Sequence, residues 1–116
     1  ENHKGLLSKI INTLLKEPSD SIYRFWLSSC LEAYLRGSGP SEQLFIIRSG
    51  VLSHLIQHIL SNGHNASSNL QTAFDLLGEL IKCNLKSVEY LENSFVEDQF
   101  RLFMDIVMSN LVDSNV

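Results

Sequence analysis

Two stretches of this chain carry the same apolar pattern 45 residues apart, and that register constrains the fold more than any other feature. Gly5-Leu6-Leu7-Ser8 and Gly50-Val51-Leu52-Ser53 open the two copies. Leu6, Leu7, Ile10, Ile11, Leu14 and Leu15 then align with Val51, Leu52, Leu55, Ile56, Ile59 and Leu60. Each set follows the three-then-four spacing of an amphipathic helix. The register continues without a gap: Phe25, Ser28, Leu31 and Leu35 align with Leu70, Ala73, Leu76 and Leu80. Ser28 and Ala73 share a position, and small side chains there would let neighbouring helices approach closely.

Local signals divide this pattern into elements. Pro18 lacks an N–H and disfavours helix in the residue before it, so a helix over 6–16 ends ahead of it, and Ser19, Asp20 and Ser21 are candidate N-caps for a second over 21–36. Gly37 suits a left-handed position after Arg36, and Gly39-Pro40 blocks continuation. Ser41 with Glu42 is expected to start a short helix over 41–48, Gly50 to separate it from one over 51–61, and Asn62-Gly63-His64-Asn65 to form a loop before a helix over 69–83. Two more helices are expected after residue 86, with Val112-Asp113-Ser114-Asn115 as a polar loop.

A short helix, a glycine, a second helix, a loop and a longer third helix make the armadillo unit, and armadillo and HEAT-like repeats have periods of about 40 to 47 residues. The expected fold is therefore all-α, an armadillo/HEAT-like right-handed helical solenoid of about two and a half repeats. Residues 1–37 supply the last two helices of one repeat, 41–84 a complete repeat, and 86–116 the start of the next. A closed helical bundle is the alternative, but it leaves the ungapped register without a cause. With 116 residues the chain has length for one such unit and no second domain. Incomplete end units would expose apolar surface, so marginal stability or self-association is expected of it alone.

Composition narrows the function. The net charge is −4 with no run of like charges, which argues against a nucleic-acid surface or an anionic membrane surface. No apolar run approaches a membrane span, so no direct membrane insertion is expected. Cys30 and Cys83 sit within apolar patterning and are expected as buried thiols of a reducing compartment, which places the protein in the cytoplasm.

Catalytic signatures are absent. There is no Gly-rich phosphate loop, nucleophile elbow or Cys-x-x-Cys, so neither enzyme activity nor a cofactor is expected. His54 and His58 have the four-residue spacing of a two-His metal site, but Leu55 stands where the zinc-peptidase motif has Glu and no third ligand follows. In the repeat register they occupy the slots of Lys9 and Thr13, so they are read as a polar helix face, a metal-dependent hydrolase being the contrasting reading. What remains is a binding surface. In an armadillo array the third helices line the groove, and beside their core stripe stand Trp26, Cys30 and Tyr34 in one and Gln71, Asp75 and Glu79 in the next. Aromatics supply rigid apolar contact and carboxylates pair with Arg or Lys, so Trp26, Tyr34, Gln71, Asp75 and Glu79 are the candidate partner-binding residues. The competing reading has Trp26 and Tyr34 packing against a preceding unit.

Particular segments also carry a family resemblance. Arg24-Phe25-Trp26-Leu27-Ser28, Glu32-Ala33-Tyr34-Leu35-Arg36-Gly37, Phe74-Asp75-Leu76-Leu77-Gly78-Glu79-Leu80-Ile81-Lys82 and Leu111-Val112-Asp113-Ser114-Asn115 resemble the short transient receptor potential channel 4-associated protein family. The resemblance implies a longer, cytosolic armadillo-like solenoid. It further implies a substrate receptor of a cullin-4 RING ubiquitin ligase, whose partners are the ligase's adaptor and substrate degrons. A signalling scaffold on tumour necrosis factor receptor or calcium-channel tails, with no ligase attached, is the alternative. The resemblance carries no adaptor-binding or degron-binding residue onto this sequence.

Overall fold

A computed structural model describes residues 2–18, 20–63 and 68–114 of the chain. All regular structure among them is helical: α1 (Asn2–Lys16), α2 (Ile22–Arg36), α3 (Pro40–Arg48), α4 (Val51–Asn62), α5 (Ser68–Ile81), α6 (Leu85–Asn93) and α7 (Gln99–Ser114). The all-α class therefore holds, and the first four expected helices lie within a few residues of the observed ones.

Capping chemistry explains where the helices begin. Ser21 is the N-cap of α2, its hydroxyl accepting from the Tyr23 N–H at 3.1 Å. Ser19, the other serine considered for this role, lies outside the described residues. α3 starts at Pro40 and not at Ser41: Gly39 is its N-cap, Pro40 takes the first helical position where a missing N–H costs nothing, and the Glu42 carboxylate accepts from the Gly39 N–H at 2.9 Å.

Helix ends depart from expectation in three places. Gly37 has φ −101° and is not left-handed. The chain instead turns through Ser38, whose N–H donates to the Leu35 carbonyl at 3.0 Å and whose hydroxyl donates to that of Tyr34 at 2.7 Å. α5 stops at Ile81, two residues early, because Cys83 adopts φ +53° and Asn84 caps α6. α7 runs through Ser114, so the loop expected from Val112 is helix as far as Ser114, and Asn115 lies outside the described residues. The expected loop at Asn62 begins with Gly63, while 64–67 are not among the described residues.

Two glycines are dictated by geometry. Gly50 takes φ +100° between α3 and α4, a conformation other residues rarely adopt. A Cβ on Gly63 would lie 2.5 Å from Ile106, so α4 and α7 meet closely there only because the side chain is missing.

The helices pack in a regular way. Each of α1 to α4 contacts the helix three places further along, and the α2–α5 pair is the most extensive contact. α4 sits at the centre, touching α1, α3, α5 and α7, which explains why Val51, Leu52, Leu55, Ile56 and Ile59 are all buried. Leu31 and Leu35 of α2 and Leu70, Leu76 and Leu80 of α5 continue the same core, and Ser28 and Ala73 are buried as their small size anticipates. The two copies differ at their first position: Val51 is buried while Leu6 is 62% exposed, since α4 packs extensively against more helices than α1 does. No single helix among the described residues is long and apolar enough to cross a membrane; α3 and α4 qualify only jointly, and they bend by 66° at their junction.

A polar lock closes the α3–α5–α6 corner. The buried Gln43 amide donates to the carbonyls of Glu79 at 2.8 Å and Lys82 at 2.9 Å, satisfying acceptors that the end of α5 leaves open. Its oxygen accepts from Asn84 Nδ2 at 2.9 Å, and Asn84 Oδ1 accepts from the N–H groups of Lys86 and Ser87. One side chain thus joins the end of one helix to the start of the next. Gln43→Leu takes the side-chain partner from the Glu79 and Lys82 carbonyls and leaves the Asn84 amide only its long 3.4 Å bond to the Pro40 carbonyl, and is expected to cost about 2 kcal/mol in urea unfolding. A loss of under about 0.5 kcal/mol would show that the lock contributes nothing beyond a surface substitution.

Candidate functional site

Of the five candidate partner-binding residues, Trp26, Gln71 and Asp75 are exposed, and Tyr34 and Glu79 are half-buried. On α2 the positions turned to the core are Arg24, Ser28, Leu31 and Leu35, which leaves Trp26 58% exposed, Cys30 exposed and Tyr34 half-buried. On α5, Leu70, Ala73, Leu76 and Leu80 face inward, leaving Gln71 and Asp75 exposed and Glu79 half-buried. Gln71 Nε2 donates to the Asp75 carboxylate at 3.0 Å, so the two form one polar unit on adjacent turns.

Trp26 stands at one end of this line. Its ring meets Phe25 edge-on, with centroids 5.4 Å apart and planes at 83°. Both rings, with Ile22, Asp20 and Asn69, line an open cleft of about 370 Å³. Asn69 Nδ2 donates to the Ser21 carbonyl at 3.2 Å and so ties α5 to the start of α2. Tyr34 packs against the core and lines a smaller cleft with Leu7 and Phe45.

The cysteines correct an expectation. Cys30 and Cys83 are both free and both exposed, not buried. Cys30 belongs to the outward line between Trp26 and Tyr34, and Cys83 follows the end of α5 in the left-handed turn.

A second site was not legible as such. His58 is buried, His54 is half-buried, and the Nε2 atoms of both are sealed from solvent without a protein partner. This overturns their reading as a solvated face. Lys9 and Thr13, at the matching positions of α1, are indeed exposed, but α4 has neighbours on more sides. Arg24 joins them: it is only 3% exposed, Nη1 makes a long 3.4 Å bond to the Glu17 carbonyl, and Nη2 has no partner. The signal that could have found this site is Arg24 itself, a charge in register with the buried stripe Ser28, Leu31 and Leu35. Among the described residues no three His, Cys, Asp or Glu side chains gather, so a hydrolase built on His54 and His58 has no third ligand there.

Burial sets the protonation of this cluster. It lowers the Arg24 pKa, partly offset by Glu17, and an arginine so shifted remains a cation. Burial and then the Arg24 charge lower His54; burial, Arg24 and His54 together push His58 down to about 4. The folded state therefore holds His58 neutral, whereas the unfolded chain takes up that proton near pH 6.5. Stability from this group is complete above that pH and falls as the pH drops toward 4. Between pH 7.5 and 4.5, His58→Gln is expected to remove about 2 kcal/mol of the pH-dependent loss seen in urea unfolding. Identical pH profiles for the two proteins would contradict it.

Comparison with known proteins follows from this geometry. The family described as "Protein of unknown function (DUF3689)" matches residues 1–116. The human and mouse proteins named "Short transient receptor potential channel 4-associated protein" are each 34% identical over 118 aligned residues, which cover 100% of this chain and 15% of theirs. The chain thus spans about 15% of the length of the curated relatives it matches. No solved structure matches it. With its whole length matched by the family model, the chain belongs to the DUF3689 family, and it is similar to the channel 4-associated proteins over that same length.

Proposed function

We propose that this chain is a non-catalytic, protein-binding stretch of a longer armadillo-like solenoid, and that the outward face of α2 and α5 is its recognition surface. The repeated packing of each helix on the one three places ahead, in a 45-residue register, supports the solenoid. In this reading 1–37 end one repeat, 41–84 form the next and 86–116 begin a third. Further repeats would then cover the exposed Phe100, Leu102, Met104 and Met108 of α7.

The observation that carries the recognition surface is the extensive pairing of α2, which exposes Trp26, with α5, which exposes Gln71 and Asp75. An extended segment carrying Arg or Lys next to an apolar side chain has the matching chemistry. The relatives' name supports association with a channel protein. Within that reading, the finer proposal is a cytoplasmic substrate receptor of a cullin-4 RING ubiquitin ligase, resting on the family resemblance. A scaffold on receptor or channel complexes is the alternative. The solenoid would position its partner, and a separate enzyme would perform the transfer.

Affinity purification of the full-length parent with mass spectrometry tests this, run beside Asp75→Lys, Glu79→Lys. Cullin-4 and its adaptor are expected with both proteins, while other partners fall at least about fivefold in the variant, as loss and reversal of a charge pair requires. No ligase subunit with either protein would reject the receptor reading in favour of the scaffold. An unchanged partner set would reject the face.

A further inference from the structure

A cleft at the start of α2 combines open aromatic surface with a carboxylate that no described residue answers. Asp20, Ile22, Phe25, Trp26 and Asn69 line it, around a volume of about 370 Å³. Asn69 belongs to α5, so the cleft lies between the two helices and not on the side of α2 turned away from α5. Its walls are accessible: Ile22 is 67% exposed, Trp26 and Asp20 are exposed as well, and Phe25 is half-buried. The edge-on contact between the two rings covers at most one face of the indole, which leaves aromatic surface for a ligand.

Among the described residues the Asp20 carboxylate makes no hydrogen bond and no ion pair. The helix start does not call on it, because the N-cap of α2 is Ser21, whose hydroxyl accepts from the Tyr23 N–H at 3.1 Å. The other four residues of the lining are uncharged. Arg24, four residues on, is buried with its Nη1 turned to the Glu17 carbonyl. The cleft thus presents one negative charge at an apolar wall, with no cation of its own in the lining.

We infer that this cleft is a binding site for an arginine side chain of a partner segment, its guanidinium stacked on Trp26 and donating to Asp20. This rests on the recognition surface proposed above and names the residue that anchors a segment at the start of α2. The lining selects arginine in three ways. A carboxylate at an apolar wall suits a cation carried on an apolar stem, and repels an anion. A guanidinium is planar and more weakly hydrated than an ammonium, so it leaves water more readily to lie on an aromatic face. Its adjacent N–H groups also match the two oxygens of one carboxylate, which a lysine ammonium meets only as a point charge.

Trp26 is the only tryptophan of the chain, so indole fluorescence reports on this cleft alone. The probe is N-acetyl-arginine methylamide, with the citrulline analogue as an uncharged control of the same shape and the lysine analogue as the competing cation. The arginine probe is expected to change Trp26 emission saturably, with a millimolar Kd. It should bind at least about fivefold more tightly than the citrulline analogue, as a charge-assisted contact on an aromatic face requires. Asp20→Asn removes the charge from an exposed position, so it should weaken the arginine probe about threefold while the protein melts as before. A response that never saturates, equal affinity for the arginine and citrulline probes, or an Asp20→Asn protein that binds as the wild type does would overturn the inference. A lysine probe that binds as tightly as the arginine one would overturn the choice of a guanidinium. The assay contains no partner and alters neither Asp75 nor Glu79, so its failure is distinct from failure of the recognition surface, which the purification decides.

Discussion

The close pairing of α2 with α5 is the constraint on which the rest of the structure depends. α2 and α5 make the most extensive contact between described helices, and Ser28, Leu31 and Leu35 of the one and Ala73, Leu76 and Leu80 of the other are all buried. A larger side chain at either small position would force rotamers off their minima or push the helices apart. The same pairing orders the inward side: α4 packs against α5, Arg24 is carried into the interior from the start of α2, and Asn69 ties the two helices at that end.

Polar groups then determine where the packing stops being uniform. Gln43 joins α3 to the end of α5 and, through Asn84, to the start of α6, so the last part of the chain is set by hydrogen bonds as well as by apolar contact. Across the molecule the Arg24 cluster does the opposite: it buries polar atoms whose partners the protein does not supply. Burial is similar in both, and what differs is that Gln43 and Asn84 find partners, whereas Arg24 Nη2 and the Nε2 atoms of His54 and His58 do not, the buried Ser87 hydroxyl being the one unanswered group at the first corner among the described residues.

Much of the fold was legible because it follows from periodicity. The 45-residue register anticipated the first helices, the buried faces of α4 and α5, and the burial of the small residues Ser28 and Ala73. Helix ends were harder to place, since they turn on choices among equivalent caps. Gly39 with Glu42 was preferred to Ser41, Ser38 closed a turn expected of Gly37, and Cys83 took a left-handed φ without being glycine. The exposure of Trp26, Gln71 and Asp75 could be read from helix geometry alone. The Arg24 cleft could not, because the repeat alignment assigns His54 and His58 the environment of Lys9 and Thr13, and burial depends on how many helices surround each copy.

The central claim is that the α2–α5 face is where a partner lies, and site-specific photocrosslinking tests it most directly. A benzophenone amino acid placed at Trp26 or Gln71 of the full-length parent samples that face, while Lys86 and Arg101, exposed on α6 and α7, sample surfaces outside it. The account predicts partner adducts from the first two positions and none from the others. Adducts from Lys86 or Arg101 alone, with Trp26 and Gln71 silent, would contradict it.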